Sequence, residues 1–231
     1  MKIIQFKTNL ELNESCSDHI IQKLSFLIEP LVCAATGNSS TGVYQKLVEK
    51  KSMLDTQKIK FITLDEWAGL NEFDKSSCVY YLNENLIEPL NIAPKNFIAF
   101  NGTSEDPQLE CNRIKQYLLT QAIDVCILGI GLNGHIAFNE PANFLQPHAH
   151  YTKLSNTSLA HPMLEGGQQN LKYGYTLGMA EILQSQTIFL VINGIRKKKI
   201  YEQLINGKIT TDVPASFLWL HKDAYCYYCP E

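Results

Sequence analysis

Mostly apolar runs of five or six residues recur along the chain at 31–35, 59–64, 123–128, 187–192 and 224–228. A run that is apolar at successive rather than alternate positions suits a strand covered on both faces, as in a parallel sheet. Shorter strands are expected at 2–6 and 97–100, and an edge strand at 150–154. Between the runs, apolar residues fall at helical spacing. Ile20, Ile21, Leu24 and Leu27 mark a helix that opens at Asn13. Further helices are predicted over 43–50, 76–86, 104–119 (capped by Ser104), 176–183 and 197–205. Residues 156–164 are ambiguous, Gly166 and Gly167 read as a surface loop or mobile flap, and 213–221 reads as a packed segment. Strands alternating with helices predict an α/β fold: a three-layer αβα sandwich with a Rossmann-like, mostly parallel sheet, in a single domain over 1–231.

Charge and composition narrow the partners. The net charge is −3 and the single basic cluster is Arg196-Lys-Lys-Lys199, which argues against a nucleic-acid partner. No run of 18 apolar residues is present, so no membrane span is expected, and the first residues lack the apolar core of a signal peptide. The seven cysteines are odd in number, and Cys33 and Cys126 fall inside strand-like runs. This fits reduced, buried thiols and a cytoplasmic protein. Cys226 and Cys229 have C-x-x-C spacing but no matching second pair, so neither a metal nor a redox centre is expected from them.

In an open α/β sheet, ligands bind beyond the carboxyl ends of the strands. The residues after each apolar run are therefore the candidates for chemistry. The run at 123–128 breaks into Gly129, Gly131 and Gly134, with Asn133, His135, Asn139 and Glu140 among and after them. These glycines satisfy G-x-G-x-x-G. However, Pro141 follows closely, and no acidic residue lies about 20 positions on to hold a ribose, so dinucleotide binding is disfavoured. Thr36, Gly37, Asn38, Ser39 and Ser40 follow the run at 31–35 and open a helix. Such a loop either offers N–H and hydroxyl groups to a phosphate or is an ordinary capped turn; it lacks the Lys of a P-loop. Asp65 and Glu66 end the run at 59–64. Either they serve acid–base chemistry, or one caps the next turn while the other is solvated. Lys197 follows the run at 187–192. The set suits a small phosphorylated substrate undergoing proton transfer, with His135 and Asp65 as candidate acid–base groups. No G-x-S-x-G elbow suggests a serine hydrolase. No zincin spacing assembles His135, His148, His150, His161 or Glu140 around a metal.

Three of these stretches resemble the motifs of one family, in the same order. Ala35-Thr-Gly-Asn-Ser-Ser40, Leu64-Asp-Glu-Trp-Ala-Gly-Leu70 and Gly131-Leu-Asn-Gly-His-Ile-Ala-Phe-Asn-Glu-Pro141 are similar to those of glucosamine-6-phosphate deaminases/isomerases. The sister 6-phosphogluconolactonases carry G-D-E-R and G-H-T-A-S-L-F types of segment instead. Asn133-Gly-His135, Asn139-Glu-Pro141, Leu145-Gln-Pro147, His161 with Met163-Leu164, Thr176-Leu-Gly178 and Pro214-Ala-Ser-Phe-Leu-Trp-Leu-His221 most resemble the galactosamine-6-phosphate branch.

The resemblance implies a deaminating aldose–ketose isomerase that converts galactosamine 6-phosphate to tagatose 6-phosphate and ammonia. It implies no cofactor and no metal, and it allows a homo-oligomer. Asp65 then resembles the base between C2 and C1, His135 the ring-opening residue and Glu140 its supporting carboxylate. Thr36, Gly37, Asn38, Ser39, Ser40 and Lys197 resemble the phosphate cradle, with Glu66 beside the substrate.

The chain departs from the glucosamine enzymes in three places. Asn133 stands where they usually carry Asp, and is expected to keep a hydrogen bond to His135 without supplying a charge. No arginine matches the one that holds their phosphate; Leu164 falls near that place, and His161 is either a substitute or a surface residue. His150 and Thr152 stand where some hexameric members carry basic allosteric residues, so no activation by N-acetylglucosamine 6-phosphate is expected. A glucosamine-6-phosphate deaminase, a 6-phosphogluconolactonase and a sugar-phosphate sensor without turnover are the alternatives.

Overall fold

The computed structural model describes residues 1–164 and 171–231, so the flap expected at Gly166 and Gly167 lies outside the described residues. Ten strands are found among them: β1 (Lys2–Gln5), β2 (Leu31–Ala34), β3 (Lys60–Thr63), β4 (Asp65–Trp67), β5 (Phe97–Ile98), β6 (Val125–Leu128), β7 (His150–Lys153), β8 (Tyr173–Thr176), β9 (Thr187–Asn193) and β10 (Ala224–Cys229). Seven of them form one sheet in the order β1-β10-β9-β6-β2-β3-β5, with every neighbouring pair parallel. The helices are α1 (Asn9–Leu24), α2 (Asn38–Glu49), α3 (Cys78–Leu82), α4 (Pro107–Thr120), α5 (Asn156–Leu159), α6 (Met179–Leu183) and α7 (Lys198–Ile205).

Both faces of the sheet are covered, which is why its inner strands are apolar at successive positions. In β2, Val32 and Ala34 join a core with Leu12, Ile20 and Leu24 of α1 and Val43 and Leu47 of α2. Leu31 and Cys33 point the other way, into a core with Ile114 of α4, Ile182 of α6 and Ile200 and Leu204 of α7. These are the three expected layers. β2 pairs with β3 on one side and β6 on the other, so the order in which the chain adds parallel strands reverses between β2 and β6. A ligand crevice is expected at this switch point, beyond the carboxyl ends of β2 and β6.

Several elements differ from the sequence reading, each for a local reason. The first helix starts at Asn9, not Asn13, because Thr8 and Glu11 form a reciprocal capping box. The fourth helix starts at Pro107, capped by Asp106 rather than Ser104. The helix predicted over 76–86 is α3 followed by a wider turn over Asn83–Ile87. The helix predicted over 176–183 begins only at Met179, and Thr176 closes strand β8. β8 pairs antiparallel with β4 and β7 in a second, three-stranded sheet that the sequence reading did not contain. Cys226 and Cys229 face opposite cores of β10, and all seven cysteines are buried free thiols. No helix of the described residues is long and apolar enough to cross a membrane.

Candidate active site

A cavity of about 460 Å³ opens at the switch point. Its wall brings together Thr36, Gly37, Asn38, Ser39, Asp65, His135, His161 and Lys197 from five separate places in the chain. After β2 the backbone turns at Gly37, whose φ of 106° favours glycine, and enters α2. The Ser40 hydroxyl, expected in the cradle, instead donates to the carbonyls of Ala35 and Gly37, both at 3.1 Å. It closes the loop and leaves the wall to its neighbours.

Asp65 and Glu66, adjacent in β4, have different roles. Glu66 is buried and caps α3: its carboxylate accepts from Ser77 Oγ (2.7 Å) and from the backbone N–H groups of Cys78 (3.0 Å) and Val79 (2.9 Å). It does not line the cavity. Asp65 is 8 % exposed, and its Oδ1 has no hydrogen-bond partner among the described residues. Burial, reinforced by the neighbouring Glu66 charge, raises its carboxyl to about 7. A carboxyl poised at neutrality and facing a cavity is suited to accept and return a proton.

After β6 the chain makes a tight turn rather than the helix that a dinucleotide loop needs. Gly134 adopts φ 89°, Ala137 adopts φ 52°, and Ile136 and Asn139 form an isolated antiparallel bridge. A Cβ on Gly131 would lie 2.3–2.5 Å from ring atoms of His135, so this glycine lets the imidazole lie against the backbone. His135 Nδ1 is 3.1 Å from Glu140 Oε2. Asn133 keeps the expected hydrogen bond to His135, made with the backbone rather than the ring: its Oδ1 accepts from the His135 N–H at 3.3 Å, while its Nδ2 donates to Glu140 Oε2 at 2.9 Å. Ser155 and Ser158 donate to Glu140 Oε1. Burial tends to raise the Glu140 carboxyl, but the bonds from His135, Ser158 and Ser155 outweigh it and hold it at about 2. Glu140 is therefore a standing negative charge.

Positive charge enters from the turn after β9. Lys197 Nζ donates to the Ile130 carbonyl, and burial together with the charge of Arg196 lowers the ammonium to about 8. Arg196 also lines the cavity, although the sequence marked it only as part of a basic cluster. His161 Nε2 lies 3.4 Å from where a Cβ on Gly37 would stand, and its Nδ1 accepts from the Met163 N–H at 3.3 Å. That bond assigns the neutral ring proton to Nε2, beside the Gly37 loop. Burial and the charges of Lys197 and His135 lower the affinity of His161 for a second proton.

His148 and His150 stand apart, beside a second hollow of about 540 Å³ near the start of α4. His148 Nδ1 is 3.0 Å from Glu181 Oε1, and His150 Nδ1 is 2.8 Å from the His148 carbonyl. No group of three or more potential metal-ligating side chains is found among the described residues. Ser155 and Ser158 carry no motif that marks them; they lie 15 and 18 positions beyond Glu140 and meet it only through the fold.

Residues 8–226 match the family described as glucosamine-6-phosphate isomerases/6-phosphogluconolactonase. A candidate deaminase of Escherichia coli K12, AgaI, is 31 % identical over 96 % of this chain and 89 % of its own length. A glucosamine-6-phosphate deaminase of Clostridium novyi is 33 % identical over 96 % of this chain and 95 % of its own. The solved structure of a monomeric glucosamine-6-phosphate deaminase superposes with a TM-score of 0.92 at 30 % identity, covering 99 % of this chain and 97 % of that one. A 6-phosphogluconolactonase of Thermotoga maritima shares the fold, with a TM-score of 0.79 at 19 % identity and coverage of 100 % and 99 %.

Proposed function

Since the chain belongs to the family of glucosamine-6-phosphate isomerases and 6-phosphogluconolactonases, we propose that it is a deaminating aldose–ketose isomerase of an amino-sugar 6-phosphate. The observation that carries this reading is the buried Asp65 carboxyl, whose Oδ1 has no partner among the described residues, facing the same cavity as His135 of the His135–Glu140 pair. A lactone hydrolase has no need of a carboxyl held near neutrality to carry a proton between adjacent carbons.

The substrate phosphate sits in the Gly37 loop, held by its N–H groups, by Thr36 and Ser39, and by Lys197 and Arg196. His161 donates from Nε2 at the same place. His135, with Nδ1 bonded to Glu140, presents Nε2 for the ring-opening step: it takes the proton of the anomeric hydroxyl and returns one to the ring oxygen. Asp65 then removes the C2 proton and delivers it to C1, while the C1 oxygen gains a proton and the amino nitrogen gives one up, so that the aldehyde becomes a hydroxyl and the amine an imine. The resulting C2 imine takes up water and releases ammonia, leaving the ketose 6-phosphate.

The galacto epimer is favoured by the resemblance carried by Asn133, Leu145-Gln-Pro147, His161 and the segment 214–221. The test is ammonia release from galactosamine 6-phosphate and from glucosamine 6-phosphate. A larger kcat/KM for the galacto substrate is expected. A preference for the gluco substrate overturns the epimer, and hydrolysis of 6-phosphogluconolactone with no ammonia from either sugar overturns the reaction.

A further inference from the structure

Glu140 accepts from four side chains belonging to two parts of the chain. Asn133 Nδ2 (2.9 Å) and His135 Nδ1 (3.1 Å) share Oε2, while Ser155 Oγ (2.7 Å) and Ser158 Oγ share Oε1. Ser158 is 3 % exposed. Ser155 also caps α5, accepting from the Ser158 N–H at 3.1 Å. A carboxylate can rotate and shift its charge between its oxygens. Here both oxygens are claimed, and the two serines fix which one is left to the imidazole.

We propose that Ser155 and Ser158 are positioning residues that hold Glu140 as a fixed, ionised acceptor, so that His135 keeps Nδ1 on Glu140 and Nε2 towards the cavity. Glu140 itself then moves no proton. The same short segment carries His161, so the aligned dyad and the phosphate loop are braced by one stretch of chain. The inference deepens the isomerase reading and rests on it for the role of His135. The charge of Glu140 faces His135 on its own turn. Asn133, Ser155 and Ser158 complete the contacts and carry no charge; the titratable group coupled to His135 beyond them is His161, which in turn feels Lys197.

The test is Ser158→Ala, which leaves the α5 cap in place, with Ser158→Thr as the variant that keeps the hydroxyl. In the substrate-free protein, carboxyl ¹³C titration should show Glu140 moving up by about one pH unit in Ser158→Ala and staying near the wild-type value in Ser158→Thr. In ammonia release, Ser158→Ala should lose about tenfold in kcat with KM within about twofold, and Ser158→Thr should recover most of it. A Glu140 titration unchanged in Ser158→Ala overturns the proposal, whatever sugar the enzyme accepts. So does a loss confined to KM. The titration needs no substrate, so a wrong substrate assignment and a wrong role for Ser158 give different results.

Discussion

A carboxyl that is buried with too few donors destabilises the fold once it ionises, and Asp65, whose Oδ1 has no partner among the described residues, is in that position. Its folded pKa, about 7, lies above the ordinary 3.8, so the folded state binds the proton more tightly than the unfolded chain. The stability associated with Asp65 is therefore fully present below about pH 4 and is lost as pH rises through about 7. Asp65→Asn should match the wild type in unfolding free energy near pH 4. At pH 8 it should gain on the order of 4 kcal/mol, read from denaturant titrations, while kcat falls about 10²–10⁴-fold. Lys197 works in the opposite sense. Its ammonium, lowered to about 8, loses charge above that pH, so KM for the sugar phosphate should rise there, and Lys197→Arg should abolish the rise. Together the two groups predict activity that climbs through about pH 7 and declines beyond about 8. At this scale the sequence identified Asp65, His135, Glu140 and Lys197 by residue type and place after a strand. It could not separate Asp65 from Glu66. That division depends on Ser77 and the start of α3, which meet Glu66 only once the chain has folded.

At the scale of elements, two short stretches make contrasting predictions. The turn after β6 holds His135 only because Gly131 has no side chain. Gly131→Ala should displace the imidazole and reduce kcat about 10²-fold while the far-ultraviolet circular dichroism stays native. The capping box at Thr8 lies away from the cavity. Thr8→Ala should lower stability by about 1 kcal/mol and leave kcat and KM unchanged. The parallel strands were legible because burial on both faces leaves continuous apolar runs. The β4–β8–β7 sheet was not legible. β4 has three residues, and Gly174 in β8 reads as a strand breaker, yet its missing side chain makes room for the Phe138 ring. The apolar residues after Thr176 suggested that the helix began earlier than Gly178 allows.

Across the whole molecule, the parallel sheet sets the chemistry by where it reverses. The crevice between β2 and β6 receives the Gly37 loop from one strand and the His135 turn from the other. The start of β4, just past the end of β3, delivers Asp65 and the turn after β9 delivers Lys197 to the same edge. The layered architecture and this edge followed from the order of strands and helices in the sequence. The contacts that complete the site, Ser155 and Ser158 on Glu140 and His161 over Gly37, arise from a segment with no clear periodicity, and only the fold reveals them. On the proposed reaction, Asp65 carries the C2 proton to C1 and ammonia then leaves. The measurement that tests it most directly follows galactosamine 6-phosphate deuterated at C2 through one round of turnover. One ammonia per ketose formed is expected, with the deuterium recovered at C1 or in water, and no such reaction with Asp65→Asn. Turnover undiminished in Asp65→Asn, or deuterium retained at C2, would contradict it.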